Sequence, residues 1–269
     1  MQASRMKRRS WQMLWVLMFL ATFLAAGAAQ AETPDLAVAV NKSGYLRMLS
    51  QRIVKAYCQV GLGVMPDASK AQLKTSIDAY VQNLHYLRQV VSGRINLEIM
   101  RDLDQQWEPF RVIASGPVTL AGAAELLVRS EMLLQAAEKL TMNIEVASDT
   151  PYGQLINLSG RQRMLSQRLA KFYMLHAWGF ETALVHDEIE QAHKEFSVAL
   201  AELSSAPQTT LPILDELEAV RLQWDWFQAA LVLEGALSYR LVVADASETI
   251  LKRMDYITGL YEAQAKHQQ

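Results

Sequence analysis

The chain has 269 residues, 51% of them apolar and 20% charged, with a formal net charge of −2. That length suits one large domain or two of ordinary size, and the slightly acidic balance argues against nucleic acid as a partner. The single cysteine, Cys58, excludes an internal disulfide and a cysteine-based metal site; it reads as a small buried apolar residue on a helix.

Taken in chain order, residues 1–31 show the three parts of a secretory signal peptide. Arg5, Lys7, Arg8 and Arg9 make a positive start, Trp11 to Ala26 is an uncharged apolar run, and Ala29-Gln30-Ala31 is a small-x-small cleavage site. Cleavage would remove four positive charges, leaving a mature chain near −6. The competing expectation is an uncleaved N-terminal membrane anchor.

A long helix follows, with Leu46, Leu49, Ile53, Ala56 and Val60 at spacings of three and four, ended by Gly61, Gly63 and Pro66. A second helix carries Leu73, Ile77, Tyr80, Leu84 and Leu87 and closes at Ser92-Gly93. A third runs from about Ile95 to Val112, and Pro109 inside it should bend or interrupt it. After Ser115-Gly116-Pro117, a fourth extends from about Leu120 to Val146, with Leu126, Leu133, Leu140 and Ile144 turned inward. Asp149-Thr150-Pro151 is a joint, beyond which the plan repeats: a helix to about Gly179, then about 184–203, a third with Trp224-Asp-Trp-Phe227, and a fourth from about 237 to 264. Trp107, Trp224 and Trp226 are expected in core or helix-junction packing. No alternating run or hairpin turn suggests a strand. The fold class is therefore all-α: two tandem antiparallel four-helix bundles, at 36–147 and 151–265.

The repeat is explicit in the first helix of each half. Asn41-Lys-Ser-Gly44-Tyr-Leu-Arg47-Met-Leu-Ser50-Gln51-Arg52-Ile-Val-Lys55-Ala-Tyr57 returns as Asn157-Leu-Ser-Gly160-Arg-Gln-Arg163-Met-Leu-Ser166-Gln167-Arg168-Leu-Ala-Lys171-Phe-Tyr173, identical at eleven of seventeen positions with a constant offset of 116. Duplication is the only reasonable source of such a match. A duplicated bundle set side by side imitates a homodimer, with a pseudo-twofold axis between halves; end-to-end stacking through a continuous helix is the alternative arrangement. On a helix, Gly44 lies one turn before Arg47, and Gln51 one turn after it; Gly160, Arg163 and Gln167 repeat this. A helical glycine costs roughly 0.5–1 kcal/mol relative to alanine, which close approach of a backbone or ligand can offset. Glycine beside an arginine fork makes a compact acceptor for a small anion. Two facing arginines should repel, so a splayed arrangement is expected until an anion draws the first helices together.

The segment resembles the N-terminal sensory domain of the PilJ-type chemotaxis transducers, and is similar to the P-box of the nitrate and nitrite sensor kinases NarX and NarQ. The shared form is Asn-x-x-Gly-x-x-Arg-Met-x-Ser, present at Asn41–Ser50 and Asn157–Ser166. The resemblance implies a periplasmic four-helix bundle, here doubled. It further implies a nitrate- or nitrite-like anion between the two P-box helices, at Gly44, Arg47, Gly160 and Arg163. Gln51 and Gln167 join these as ligand-binding candidates. The partners expected are that anion and a membrane sensor kinase or chemotaxis transducer, with the chain a candidate for homodimerisation. Tyr45-Leu46 stands where the other copy has Arg161-Gln162, so one asymmetric site is expected rather than two equal ones.

No nucleophile motif, phosphate-binding glycine loop or His-Glu metal motif appears, so neither an enzyme nor a cofactor nor a metal is expected. Glu188 and Glu190 are expected on a solvated helix face. The alternative function is a structural or adaptor protein, linked to chemotaxis or pilus signalling, whose ligand site has degenerated.

Overall fold

A computed structural model describes residues 35–180, 183–231 and 237–267, with backbone alone at 183–186. The expected signal peptide lies outside the described residues. From Asp35 onward the chain is one compact unit. Its helices are α1 (Leu36–Gly61), α2 (Pro66–Val90), α3 (Arg94–Ala114), α4 (Leu120–Ser148), α5 (Pro151–Ala177), α6 (Ala183–Ser205), α7 (Leu211–Leu231) and α8 (Leu237–Lys266), with no strand among the described residues.

The helix starts follow local chemistry. Asp35 accepts from the Val38 amide at 3.2 Å. The Thr119 hydroxyl accepts from Gly122 and the Thr150 hydroxyl from Gly153, each satisfying a donor that the first turn leaves orphaned. The stops are duplicated too: Gly63 (φ +67°) and Gly179 (φ +95°) occupy the left-handed region just past the ends of α1 and α5. Of the bend or interruption expected at Pro109, the interruption does not occur: α3 runs unbroken through it. The carbonyl that proline leaves unmatched belongs to Gln105, on the exposed face with Pro109 itself, where water can serve it. Trp107 and Phe110 hold the opposite face in the core.

Within each half the first and last helices are antiparallel neighbours. Arg47 and Gln51 on α1 meet Glu138 and Ser130 on α4, while Arg163 and Gln167 on α5 meet Asp255 and Ser247 on α8. The halves lie side by side through α1 and α5, which run parallel in the same register. One hydrophobic core spans both. Matching aromatic triads fill it: Tyr80 stacks on Trp107 at 3.9 Å with Phe110 beside them, and Phe196 stacks on Trp224 at 4.0 Å with Phe227. Trp226 is not in this packing; it is 72% exposed, because it points one residue away from the α7 stripe of Val220, Trp224 and Phe227. Where the halves meet at one end, the Trp178 ring packs over Gly61 so closely that a Cβ there would lie 2.2 Å from two ring carbons.

Candidate functional site

The parallel register of α1 and α5 brings the two copies of the repeated segment face to face. Arg47 and Arg163 are among the largest fully buried side chains, each at 0% exposure. A Cβ on Gly44 would sit 3.1 Å from Arg47 Nη2 and 3.7 Å from Arg163 Nη2; one on Gly160 would sit 3.0 Å from Arg163 Nη2 and 3.6 Å from Arg47 Nη2. Both guanidinium tips thus converge on one small volume, which exists because both helices carry glycine there. Arg47 Nη2 donates to Asn157 Oδ1 (2.7 Å), and Arg163 Nη2 to Asn41 Oδ1 (2.8 Å). Each Nη1 donates to a carboxylate of its own half, Arg47 to Glu138 (2.5 Å) and Arg163 to Asp255 (2.6 Å). The Nε atoms of both arginines, buried, have no hydrogen-bond partner among the described residues.

The expected repulsion between the arginines left out Glu138 and Asp255. These two carboxylates balance the two guanidinium charges within the protein, so the pair converges rather than splays. Burial pulls the Arg47 guanidinium below its ordinary value, and Glu138 works against that.

The surrounding network repeats across the axis. Asn41 Nδ2 donates to Glu262 at 2.7 Å, and Asn157 Nδ2 donates to Glu145. Lys55 and Arg52 bind Glu248, as Lys171 and Arg168 bind Glu131. The acids fall at heptad spacing on the last helix of each half: Glu131, Glu138 and Glu145 on α4, Glu248, Asp255 and Glu262 on α8. Five of these six, all but Asp255, hold a base or amide of the other half, so each last helix is clipped to the other half's first helix. Burial pushes the ammonium groups of Lys55 and Lys171 down to about 8, against the pull of Glu248 and Glu131. The sequence carried this signal, acids seven residues apart on a core-lining helix, but such acids read as a solvated face. Glu188 is a further correction of that kind: it is ion-paired to Arg168.

The halves differ where Tyr45 and Arg161 correspond. The Tyr45 hydroxyl bonds to Asp255 and its ring lies 4.2 Å from the Arg163 guanidinium carbon. Burial lifts the Tyr45 hydroxyl to about 12. Arg161 instead spans Glu138 and Glu195 at 2.9 and 2.8 Å. Gln51 and Gln167, both fully buried, donate to the Ser130 and Ser247 carbonyls (3.4 and 2.9 Å) rather than to the arginine pair, and their Oε1 atoms have no partner. Among the described residues, no three His, Cys, Asp or Glu side chains are grouped to hold a metal ion.

The molecule is an all-helical module built twice in one chain, with a buried cationic pair between the copies. The profile of the type IV pili methyl-accepting chemotaxis transducer N-terminal domain, PilJ, matches residues 28–127 and 146–249. The chain belongs to this family, in two tandem copies, and its role is therefore sensory or signalling. No curated protein and no solved structure matches the chain. No helix among the described residues is long and apolar enough to cross a membrane.

Proposed function

We propose that the protein is a periplasmic sensor of a small anion, with nitrate and nitrite the candidate ligands, and that residues 36–147 and 151–265 act as a covalent pair of bundles enclosing it. The convergence of Arg47 and Arg163 Nη2 over Gly44 and Gly160 carries this reading. The buried, unpartnered Nε atoms supply further donors. Gln51 and Gln167, one turn along, form the floor. A hydrogen bond to a charged group contributes roughly 1.5–3 kcal/mol, so three or four such donors, less the contacts they replace, reach the roughly −8 kcal/mol of micromolar affinity. Output passes to a membrane sensor kinase or chemotaxis transducer, from a monomer or a homodimer, after export by residues 1–31. Calorimetry with nitrate and nitrite tests the reading: binding that Arg47→Ala and Arg163→Ala each abolish supports it, and unchanged affinity in both variants overturns the site.

One observation favours a second reading. Glu138 and Asp255 already neutralise both arginines, as they would in a structural or adaptor protein held together by a buried charge network. A thermal-shift panel of nitrogen oxyanions separates the two, since only a sensor gains stability with ligand concentration.

A further inference from the structure

The four terminal donors of the arginine pair are held in two different ways. Each Nη1 is held by a carboxylate and each Nη2 by a neutral amide oxygen, that of an asparagine from the other half. All four contacts are charge-assisted through the guanidinium, but only the carboxylates add an opposite full charge. An entering anion brings such a charge as well, so it outcompetes the amides and leaves the carboxylates in place. Both asparagines are half-buried, whereas the arginines behind them have no exposure.

Resting on the anion-sensor reading above, we propose that Asn41 and Asn157 are the lid of the site, occupying by their Oδ1 atoms the positions that two ligand oxygens take, and that the site selects monoanions over dianions. The charge count sets the selectivity. Arg47 and Arg163 are balanced by Glu138 and Asp255, and Arg161 by Glu195. A monoanion adds one uncompensated charge to a buried site, and a dianion adds two at a far greater desolvation cost. Size points the same way, because the space is only what two missing Cβ atoms leave.

The lid also couples occupancy to the contact between halves. Asn41 on α1 joins Arg163 on α5 to Glu262 on α8, and Asn157 on α5 joins Arg47 on α1 to Glu145 on α4. Displacing the amides opens two clasps between the halves and puts a single anion across the axis in their place. The ligand thus exchanges two peripheral links for one central link.

Calorimetry on the compact unit, Asp35 to Gln269, with sodium nitrate and sodium sulfate tests the proposal. Removing a competing hydrogen bond from a charged donor, worth roughly 1.5–3 kcal/mol, should make the double variant Asn41→Ala/Asn157→Ala bind nitrate about ten- to a hundredfold more tightly per bond removed. That variant should melt lower than wild type without nitrate and show a larger nitrate-induced rise. Glu145→Gln/Glu262→Gln retains both asparagines and loosens their anchors, along with the Glu262–Lys266 pair, so it should also tighten nitrate binding, and it serves if the alanine variant does not fold. Sulfate should bind wild type at least tenfold more weakly than nitrate. If nitrate binding depends on Arg47 and Arg163 but is unchanged or weakened in both lid variants, the lid is overturned and the sensor reading stands. Sulfate binding as tight as nitrate overturns the charge selectivity. Wild type that binds neither anion overturns the sensor reading and the lid together.

Discussion

Replacing Gly44 or Gly160 by alanine separates folding from ligand binding. Each glycine sits inside a helix, where alanine gains roughly 0.5–1 kcal/mol. Against this, the new methyl would lie 3.1 Å from Arg47 Nη2 at position 44, or 3.0 Å from Arg163 Nη2 at position 160. The neighbour is the far end of a long side chain, which can give by a few tenths of an ångström. That retreat lengthens but does not break the bond to Asn157 or Asn41, at a cost that is a fraction of the roughly 1.5–3 kcal/mol of a hydrogen bond to a charged group. The two effects nearly cancel, and a thermal melt should place each variant within about 4 °C of wild type. Nitrate affinity should nevertheless fall by more than tenfold, because the methyl occupies the volume on which both guanidinium tips converge. Titration calorimetry beside the melts reads both quantities. Unaltered affinity would show that the anion lies elsewhere; a loss of stability beyond about 3 kcal/mol would show that the arginines cannot yield.

Tyr80→Phe removes a hydroxyl that is buried without a partner, at a position where the second half already has Phe196; urea melts should show stability unchanged or raised by up to about 1 kcal/mol. Gly61→Ala forces a methyl against the rigid Trp178 ring at 2.2 Å, and should cost roughly 1–3 kcal/mol; a wild-type melting temperature would contradict the packing of the halves at that end. Burial works to raise the Glu248 carboxyl, but Lys55 and Arg52 pull it from 4.5 down to about 2. A carboxyl lowered by folding contributes stability that is complete above the unfolded value and lost as pH falls from about 4.5 through about 2. Denaturation across that window should therefore be steeper in wild type than in Glu248→Gln, and equal slopes would refute the pairing.

The fold was legible because its signals reinforce one another. Leu46, Leu49 and Ile53 on α1 and Leu126, Leu133 and Leu140 on α4 gave the buried faces, and the repeat showed that whatever α1 does, α5 does too. Pro109 misled because a helix-breaking residue is judged by its own backbone, while its effect depends on whether the carbonyl it abandons faces water. Trp226 misled because a residue two positions from Trp224 on a helix points to the opposite face. For the site, the glycines and arginines were readable from spacing. Their counter-charges were not, because Glu138 and Asp255 lie 91 and 92 residues from the arginines they hold. Only the antiparallel return of α4 and α8 brings them there. Asn41 and Asn157 stood in the repeated motif all along, but that each reaches into the opposite half could be seen only with both copies placed.

Tyr45 and Arg161 mark what joining the copies permits. Two separate molecules of one gene product, meeting about a twofold axis, must present the same residue from both sides. In the tandem chain a single codon can alter one side of the seam and spare the other, so one flank carries an aromatic plate and the other a cationic bridge. Asymmetry at the axis is thereby inherited rather than induced.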